Sequence, residues 1–332
     1  MALGPQSEPL LIQVVSDGRI GMENQALGLA EAVAGLTPAH LSVARVRWRP
    51  LFDKLPSALK TPAMLDPAGD LPFPVGGAPW PALWIATGRA TLPLSAAVRR
   101  RSGGRTLVVQ TQDPRWNPSA YDLIVAPEHD GLTGPNVLSI VGSPHRVTPG
   151  RLAEGAKDWA DRLDPLPRPR VAALIGGRSR RHDLSAAHAA ALADRIARAI
   201  EAVGGSLMLT FSRRTPEAAR AVMTARLSGL PGLIWDGTGP NPYFAFLHHA
   251  DHVLVTEDSA NMAAEAASTG KPVHILPMVV LAPSAKFDRL HAALRAHGAT
   301  RPFDGSLMPW TYPPLDETAR AAQAIVARLV RS

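Results

Sequence analysis

Short apolar runs alternate with longer Ala- and Leu-rich stretches almost from one end of the chain to the other. "LLIQVVSDG" precedes "MENQALGLAEAVAGL", "ALWIATGRA" precedes "PLSAAVRRRS", and "TLVVQTQDPR" and "DLIVAPEHDG" follow at short intervals. The pattern restarts at "VAALIGGRSRR", with a helix expected over about 185–203, then "SLMLTFSRRTP", "GLIWDGTG" and "HVLVTEDS". A last helix, "LDETARAAQAIVARLV", follows the irregular "RPFDGSLMPWTYPP". Such alternation predicts parallel strands joined by crossover helices, an α/β architecture. Gly, Asp or Thr bounds each apolar run, as in buried parallel strands. The Pro- and Arg-rich "DRLDPLPRPR" (161–170) lacks apolar periodicity and reads as a linker between a domain at 1–160 and one at 171–310. "LDPAGDLPFPVGGAPWP" (65–81) reads as a surface loop.

The chain of 332 residues is long enough for two domains, and its 46% hydrophobic content suits a sizeable core. Without cysteine there is no disulfide, thiol catalysis or thiolate metal site, which suits a reducing compartment. The formal charge of +7, carried mostly by Arg, favours anionic partners such as phosphates or acidic lipid surfaces, although Arg spread over solvated faces accounts for it equally well. With 5% aromatic residues and no aromatics interleaved with basic runs, the chain is not expected to bind nucleic acid. The opening "MALGPQSEPLLIQVVSDG" has neither a basic start nor a long apolar stretch, so no signal peptide is expected. "VHILPMVVLAP" is too short to span a bilayer.

Ligands of open α/β sheets bind outside the carboxyl ends of the strands, and two such halves imply a cleft, so polar strand tips are the residues to inspect. The first tip, "SDGRIGMENQ", offers Gly18 and Gly21 for a tight turn, Asp17 as a base, Arg19 beside it, and Asn24 and Gln25 for hydroxyls. A helix cap with surface polar residues is the alternative. The spacing is not G-x-G-x-x-G, which argues against a nicotinamide site. Gly176, Gly177 and Arg178 fit a phosphate-approach turn, and Ser212 and Arg213 suit phosphate oxygens. Thr215 before Pro216 serves as well for a helix cap as for a ligand contact. In "VTEDSANMAAEAASTGKPV", Asp258 or Ser259 caps a helix whose first N–H groups suit a phosphate. Glu257 stands at the strand tip, and Glu265 faces hydroxyls or solvent. "ATGRA" with Arg89, "QTQDPR" with Asp113 and "PEHDG" with Glu128 and His129 decorate further tips, His129 being a candidate base. His248, His249 and His252 lack metal-ligand spacing, so no metal is expected. No serine nucleophile elbow is present.

Taken together, "SDGRIGMENQALGLAEA", "QDPR", "PEHD", "SRRTP" and "VTEDSANMAAEAASTGKPV" resemble the mitochondrial fission ELM family over nearly the whole chain. That family looks like the GT-B glycosyltransferases. The resemblance implies two Rossmann-like domains facing a cleft, the acceptor on the first and a nucleotide sugar on the second, with a final helix (311–332) returning to the first. The spacing of Glu257 and Glu265 is similar to the E-x7-E pattern of retaining GT-B enzymes, in which the first Glu approaches the donor sugar and the second holds the ribose. On that resemblance the backbone N–H groups of Ser259, Ala260 and Asn261 would hold the diphosphate, Met262 would also border the donor, Glu257 or Asp258 would meet the sugar and Glu265 the ribose, and no cofactor beyond the donor would be needed. It further implies a cytoplasmic location, a lipid or saccharide acceptor, and peripheral contact with an anionic membrane at its inner face. Two other activities stay open. One is a nucleotide-sugar epimerase drawing its acid and base from Asp113, Glu128 and His129. The other is a non-catalytic membrane adaptor.

Overall fold

Strands built from Leu, Ile and Val with no exposed face can persist only if both sides of the sheet are covered, and the central strands of the two six-stranded sheets meet that requirement with helices. The structure is a computed structural model that describes residues 8–70 and 79–330; part of the loop expected at 65–81 lies outside them. The chain divides into two units, one of residues 1–146 and 316–332 and the other of residues 147–315. The division thus falls at Arg146, earlier than the Pro- and Arg-rich stretch at 161–170. That stretch leads directly into the first strand of the second unit, and the helices just before it belong to that unit.

The first unit holds β1 (Leu10–Ser16), β2 (Ala39–Arg45), β3 (Leu83–Thr87), β4 (Leu107–Thr111), β5 (Leu123–Pro127) and β6 (Val137–Ile140). They form one parallel sheet in the order β2-β1-β3-β4-β5-β6. Helix α1 (Ile20–Ala34) follows β1, a short α2 (Pro50–Asp53) follows β2, and α3 (Leu92–Ser102) follows β3. One face of the sheet buries Ile12, Val14, Leu83 and Val109 under Ala26, Leu29 and Val33 of α1. The opposite face buries Trp84, Val108 and Ile124 with Leu94 and Val98 of α3. Gly28 lets the backbone of His145 lie against α1, since a Cβ there would stand 2.2 Å from the His145 carbonyl oxygen.

The second unit begins with α4 (Pro149–Ala156) and α5 (Ala160–Leu163). Strand β7 (Arg170–Ile175), a two-residue β8 (His182–Asp183), α6 (Ala186–Ala202), β9 (Ser206–Phe211), α7 (Glu217–Leu227), β10 (Gly232–Ile234) and α8 (Tyr243–His249) follow. Then come β11 (His252–Thr256), α9 (Ala260–Ala267), β12 (Val273–Leu276), a two-residue β13 (Val279–Val280), α10 (Ala285–Ala296) and β14 (Thr300–Pro302). The main sheet is parallel, in the order β10-β9-β7-β11-β12-β14. Numbered within the unit this is 3-2-1-4-5-6, the doubly wound Rossmann order. Ile175, Leu192, Ile196, Leu209 and Met223 are among the residues of its core under α6 and α7. The stop "STGKPV" works as its composition predicts: Gly270 takes φ +73°, and Lys271 Nζ donates to the Leu247 carbonyl, 2.6 Å, and to that of His248, closing the end of α8.

The last helix, α11 (Glu317–Leu329), belongs to the first unit, where Ala321, Ala322 and Ile325 join the cluster under α1. Its first turn is pinned by the Val141 N–H on Glu317 Oε2 (3.1 Å) and the His145 N–H on Thr318 Oγ1 (3.2 Å). Among the described residues no helix is long and apolar enough to cross a membrane.

Candidate functional site

In a doubly wound sheet the ligand crevice opens where the strand order reverses, which in the second unit is between β7 and β11. Their tips converge on one polar network. The Gly176 N–H donates to Thr256 Oγ1 (2.7 Å) and the Gly177 N–H to Asp258 Oδ2 (3.1 Å). Arg214, brought in from the tip of β9, pairs with the same Asp258 oxygen at 2.8 Å, and Thr215 Oγ1 donates to the Gly176 carbonyl. The Asp258 side chain is fully buried, and its Oδ1 has no hydrogen-bond partner among the described residues.

This geometry corrects several expectations. Gly176 and Gly177 are small because their own chain crowds them. A Cβ on Gly176 would lie 2.1 Å from Asp258 Oδ1, and one on Gly177 would lie 2.1 Å from the Arg214 carbonyl oxygen. Their N–H groups are already bonded within the network and are not turned toward a phosphate. Asp258 is a buried brace and not an accessible sugar contact. Thr215 serves the Gly176 carbonyl and not the helix behind it, which begins at Glu217. Ser212 Oγ accepts from the Arg214 N–H (3.2 Å) and so shapes its turn. Arg213 is exposed, and Arg178 is exposed with Nε 3.7 Å from Asp183 Oδ1.

Strand β11 then delivers α9. Ser259, and not Asp258, caps it, its Oγ accepting from the Met262 N–H at 3.4 Å. Asn261 and Met262 are half-buried on the first turn. Glu257 is not idle at the strand tip, as Oε1 accepts from the Met278 N–H (2.7 Å) and its carbonyl stands 2.9 Å from His291 Nε2. Glu265 departs most from expectation. It is half-buried and already partnered: Tyr243 Oη donates to its Oε2, and burial pushes its carboxyl up to about 7. The Tyr243 phenol is in turn raised well above its ordinary range, first by burial and then by the Glu265 charge.

The corresponding switch point of the first unit lies between β1 and β3. Asp17 is half-buried there, its Oδ1 accepting from the Arg19 N–H (3.2 Å) and its Oδ2 3.5 Å from Arg19 Nε. Gly18 turns the chain at φ +78°, whereas Gly21 lies inside α1 and turns nothing. Gly88, at φ +85°, leaves room for the Asp17 carboxylate, which a Cβ would approach to 3.2 Å. Gln25 is buried and its Oε1 accepts from Gln112 Nε2 (2.8 Å), so it is not an open holder of hydroxyls; Asn24 is half-buried beside it. Arg89 is exposed on the turn after β3. Asp113 Oδ1 accepts from the Arg115 N–H (2.8 Å) and shapes the loop after β4. Of the proposed acid–base group Glu128 is exposed, but His129 is 5% exposed, which is poor access for a base.

The sequence reading missed Glu23. It is buried on the first turn of α1, where it accepts from Ser16 Oγ (2.7 Å) and receives the fork of Arg45, with Nε at 2.8 Å and Nη2 at 2.7 Å. That bond holds the carboxyl below its ordinary range. The signal was available only as a carboxylate in the first turn of a helix rich in Ala and Leu. Glu23→Ala should lower stability by about 1.5–3 kcal/mol, read by urea unfolding, because Ser16 and Arg45 lose a charged partner; an unchanged midpoint would remove Glu23 from the architecture of this tip.

Comparison with known proteins places these features. The family model described as mitochondrial fission ELM1 matches residues 20–329. The mitochondrial fission protein ELM1 of Arabidopsis thaliana is 32% identical over 274 residues, which is 74% of this chain and 63% of the plant protein, so the match spans less than two thirds of that relative's own length. An uncharacterized protein of Rickettsia prowazekii (strain Madrid E) is 26% identical over 95% of this chain and 97% of its own. Among solved structures, UDP-GlcNAc 2-epimerase of Methanocaldococcus jannaschii, in complex with UDP-GlcNAc and UDP, superposes with a TM-score of 0.55 at 12% identity, covering 97% of this chain and 99% of that one. Another UDP-N-acetylglucosamine 2-epimerase gives 0.50 at 12% identity over 97% and 95%. At such identity the likeness concerns the fold, and that fold is of the GT-B kind: two parallel-sheet α/β domains.

Proposed function

This chain belongs to the mitochondrial fission ELM1 family, and we propose that it is a glycosyltransferase using a nucleotide-diphosphate sugar bound at the β7/β11 tips of its second unit. The observation that carries the reading is the polar network at that switch point, where Asp258, Arg214 and the start of α9 meet. The first turn of α9 presents backbone N–H groups and the positive end of the helix dipole to an anion. Arg213 and the half-exposed Arg214 bring guanidinium charge to the same strand ends. A diphosphate leaving group would gain its stabilisation from these groups, and no cofactor enters the reading. Buried Asp258 sets the position of Arg214 and the glycine turn. Glu265 and Tyr243 form the hydrogen-bonding pair for the ribose, and Glu257, braced by Met278, would stand toward the sugar. Asp17, on the first unit's switch point, is the carboxylate to activate a lipid or saccharide acceptor.

The test is turnover of labelled nucleotide sugars with and without lipid and saccharide acceptors, paired with calorimetric titration of nucleoside diphosphates. Transfer to an acceptor is the expected result. Isomerised sugar would put an epimerase in its place, and binding without turnover would leave an adaptor. Arg214→Ala should weaken nucleoside diphosphate binding about tenfold to a hundredfold, the loss of a charged hydrogen bond. A wild type that binds no nucleoside diphosphate at millimolar concentration would refute the donor site.

A further inference from the structure

Three consecutive apolar side chains are held out to solvent on the second unit. Strand β13 pairs antiparallel with β8, Val279 opposite Asp183 and Val280 opposite His182, just beyond the carboxyl ends of β12 and β7. Val279, Val280 and Leu281 are 40%, 58% and 53% exposed, although buried Met278 precedes them. This ledge is built and not frayed. The Leu281 N–H donates to the Arg181 carbonyl (2.8 Å), Arg181 Nη1 to the Pro283 carbonyl (2.9 Å), and the His182 ring meets Phe287 edge-on at 5.2 Å. A run of exposed apolar residues on a firmly bonded scaffold is avoided in proteins unless something covers it.

The chemistry of the surroundings selects what covers it. Arg178, Arg180 and Arg181 flank the β8 side, and Lys286 and Arg289 lie on the first turns of α10, all with exposed side chains. Against these five bases the same segments carry two acids, Asp183 and Asp288. Apolar residues ringed by Arg and Lys match the boundary of an anionic bilayer, where the former enter the acyl region and the latter meet lipid phosphates. We propose that the β8–β13 ledge docks the protein on an anionic lipid membrane. This surface does not depend on the donor-site reading, since vesicle binding needs no nucleotide.

Purified full-length protein would be floated with vesicles of phosphatidylcholine alone and of phosphatidylcholine and phosphatidylglycerol in equal parts. Wild type is expected to float with the mixed vesicles only, and to release them as salt screens the charge. Val280→Glu with Leu281→Glu should weaken binding at least tenfold. Arg180→Glu should weaken it about twenty-five-fold, since each basic residue at an anionic surface is worth about fivefold and the substitution both removes one and adds the opposite charge. All of these side chains are exposed, so the urea midpoint of each variant should match wild type. Failure of wild type to bind mixed vesicles, equal binding to phosphatidylcholine alone, or undiminished binding by both variants would overturn the proposal.

Discussion

Gly177→Ala is expected to destabilise the second unit by about 3 kcal/mol, at the upper end of the range for added bulk in a packed interior. The new Cβ would meet the Arg214 carbonyl oxygen at 2.1 Å, its carbon at 2.3 Å and the Thr215 nitrogen at 2.5 Å. All three are backbone atoms, so no rotamer change relieves the clash; either β7 or the turn after β9 must move. That movement would pull Arg214 from Asp258 and leave a buried carboxylate without its cation. Nucleoside diphosphate binding should fall along with stability. Gly150→Ala is the matching control. It lies in the first turn of α4 with nothing within 4 Å of the added atom, and the variant's stability should stay within about 0.5 kcal/mol of wild type. Equal urea midpoints for the two variants would show that the glycine turn yields and is not the hinge of the network.

The second large effect is in the pH dependence of stability. Glu265 has its carboxyl raised from 4.5 to about 7, chiefly by burial and against the opposing hydrogen bond from Tyr243. Between those values the folded protein holds a proton that the unfolded chain has released, so stability must fall as pH rises. The contribution of Glu265 is complete below about pH 4.5 and is lost by the time pH has passed about 7, a span of up to about 3 kcal/mol. Glu265→Gln keeps an acceptor for Tyr243 Oη and cannot ionise. The difference in stability between variant and wild type, measured by urea unfolding from pH 4.5 to pH 8, should therefore move in the variant's favour across that window. Every other titrating group cancels in the difference, including Glu23, whose depressed carboxyl acts in the opposite direction. A flat difference curve would mean that Glu265 ionises as a solvated residue, and the closed pair with Tyr243 would have to be abandoned.

Strand–helix alternation, the parallel sheets and the strand tips that carry polar residues were all legible in the chain. These follow from local rules: apolar runs with no polar face need cover on both sides, and ligand-end residues come directly after them. "VTEDSANMAAEAA" was correctly seen as a strand leading into a capped helix for the same reason, since cap and first turn are neighbours in sequence. The unit boundary was misplaced because a Pro-rich stretch signals irregular backbone, not which core the preceding helices join; α4 and α5 join the second. What each polar residue does was decided in three dimensions. Glu265 meets Tyr243 across 22 positions, Glu23 meets Arg45 across 22, and Gly177 meets Asp258 across 81. No periodicity links such pairs. Their partners are chosen by the order in which strands enter the sheet, which brings the tips of β7, β9 and β11 together, and by burial, which requires every carboxylate that is brought inside to find a donor.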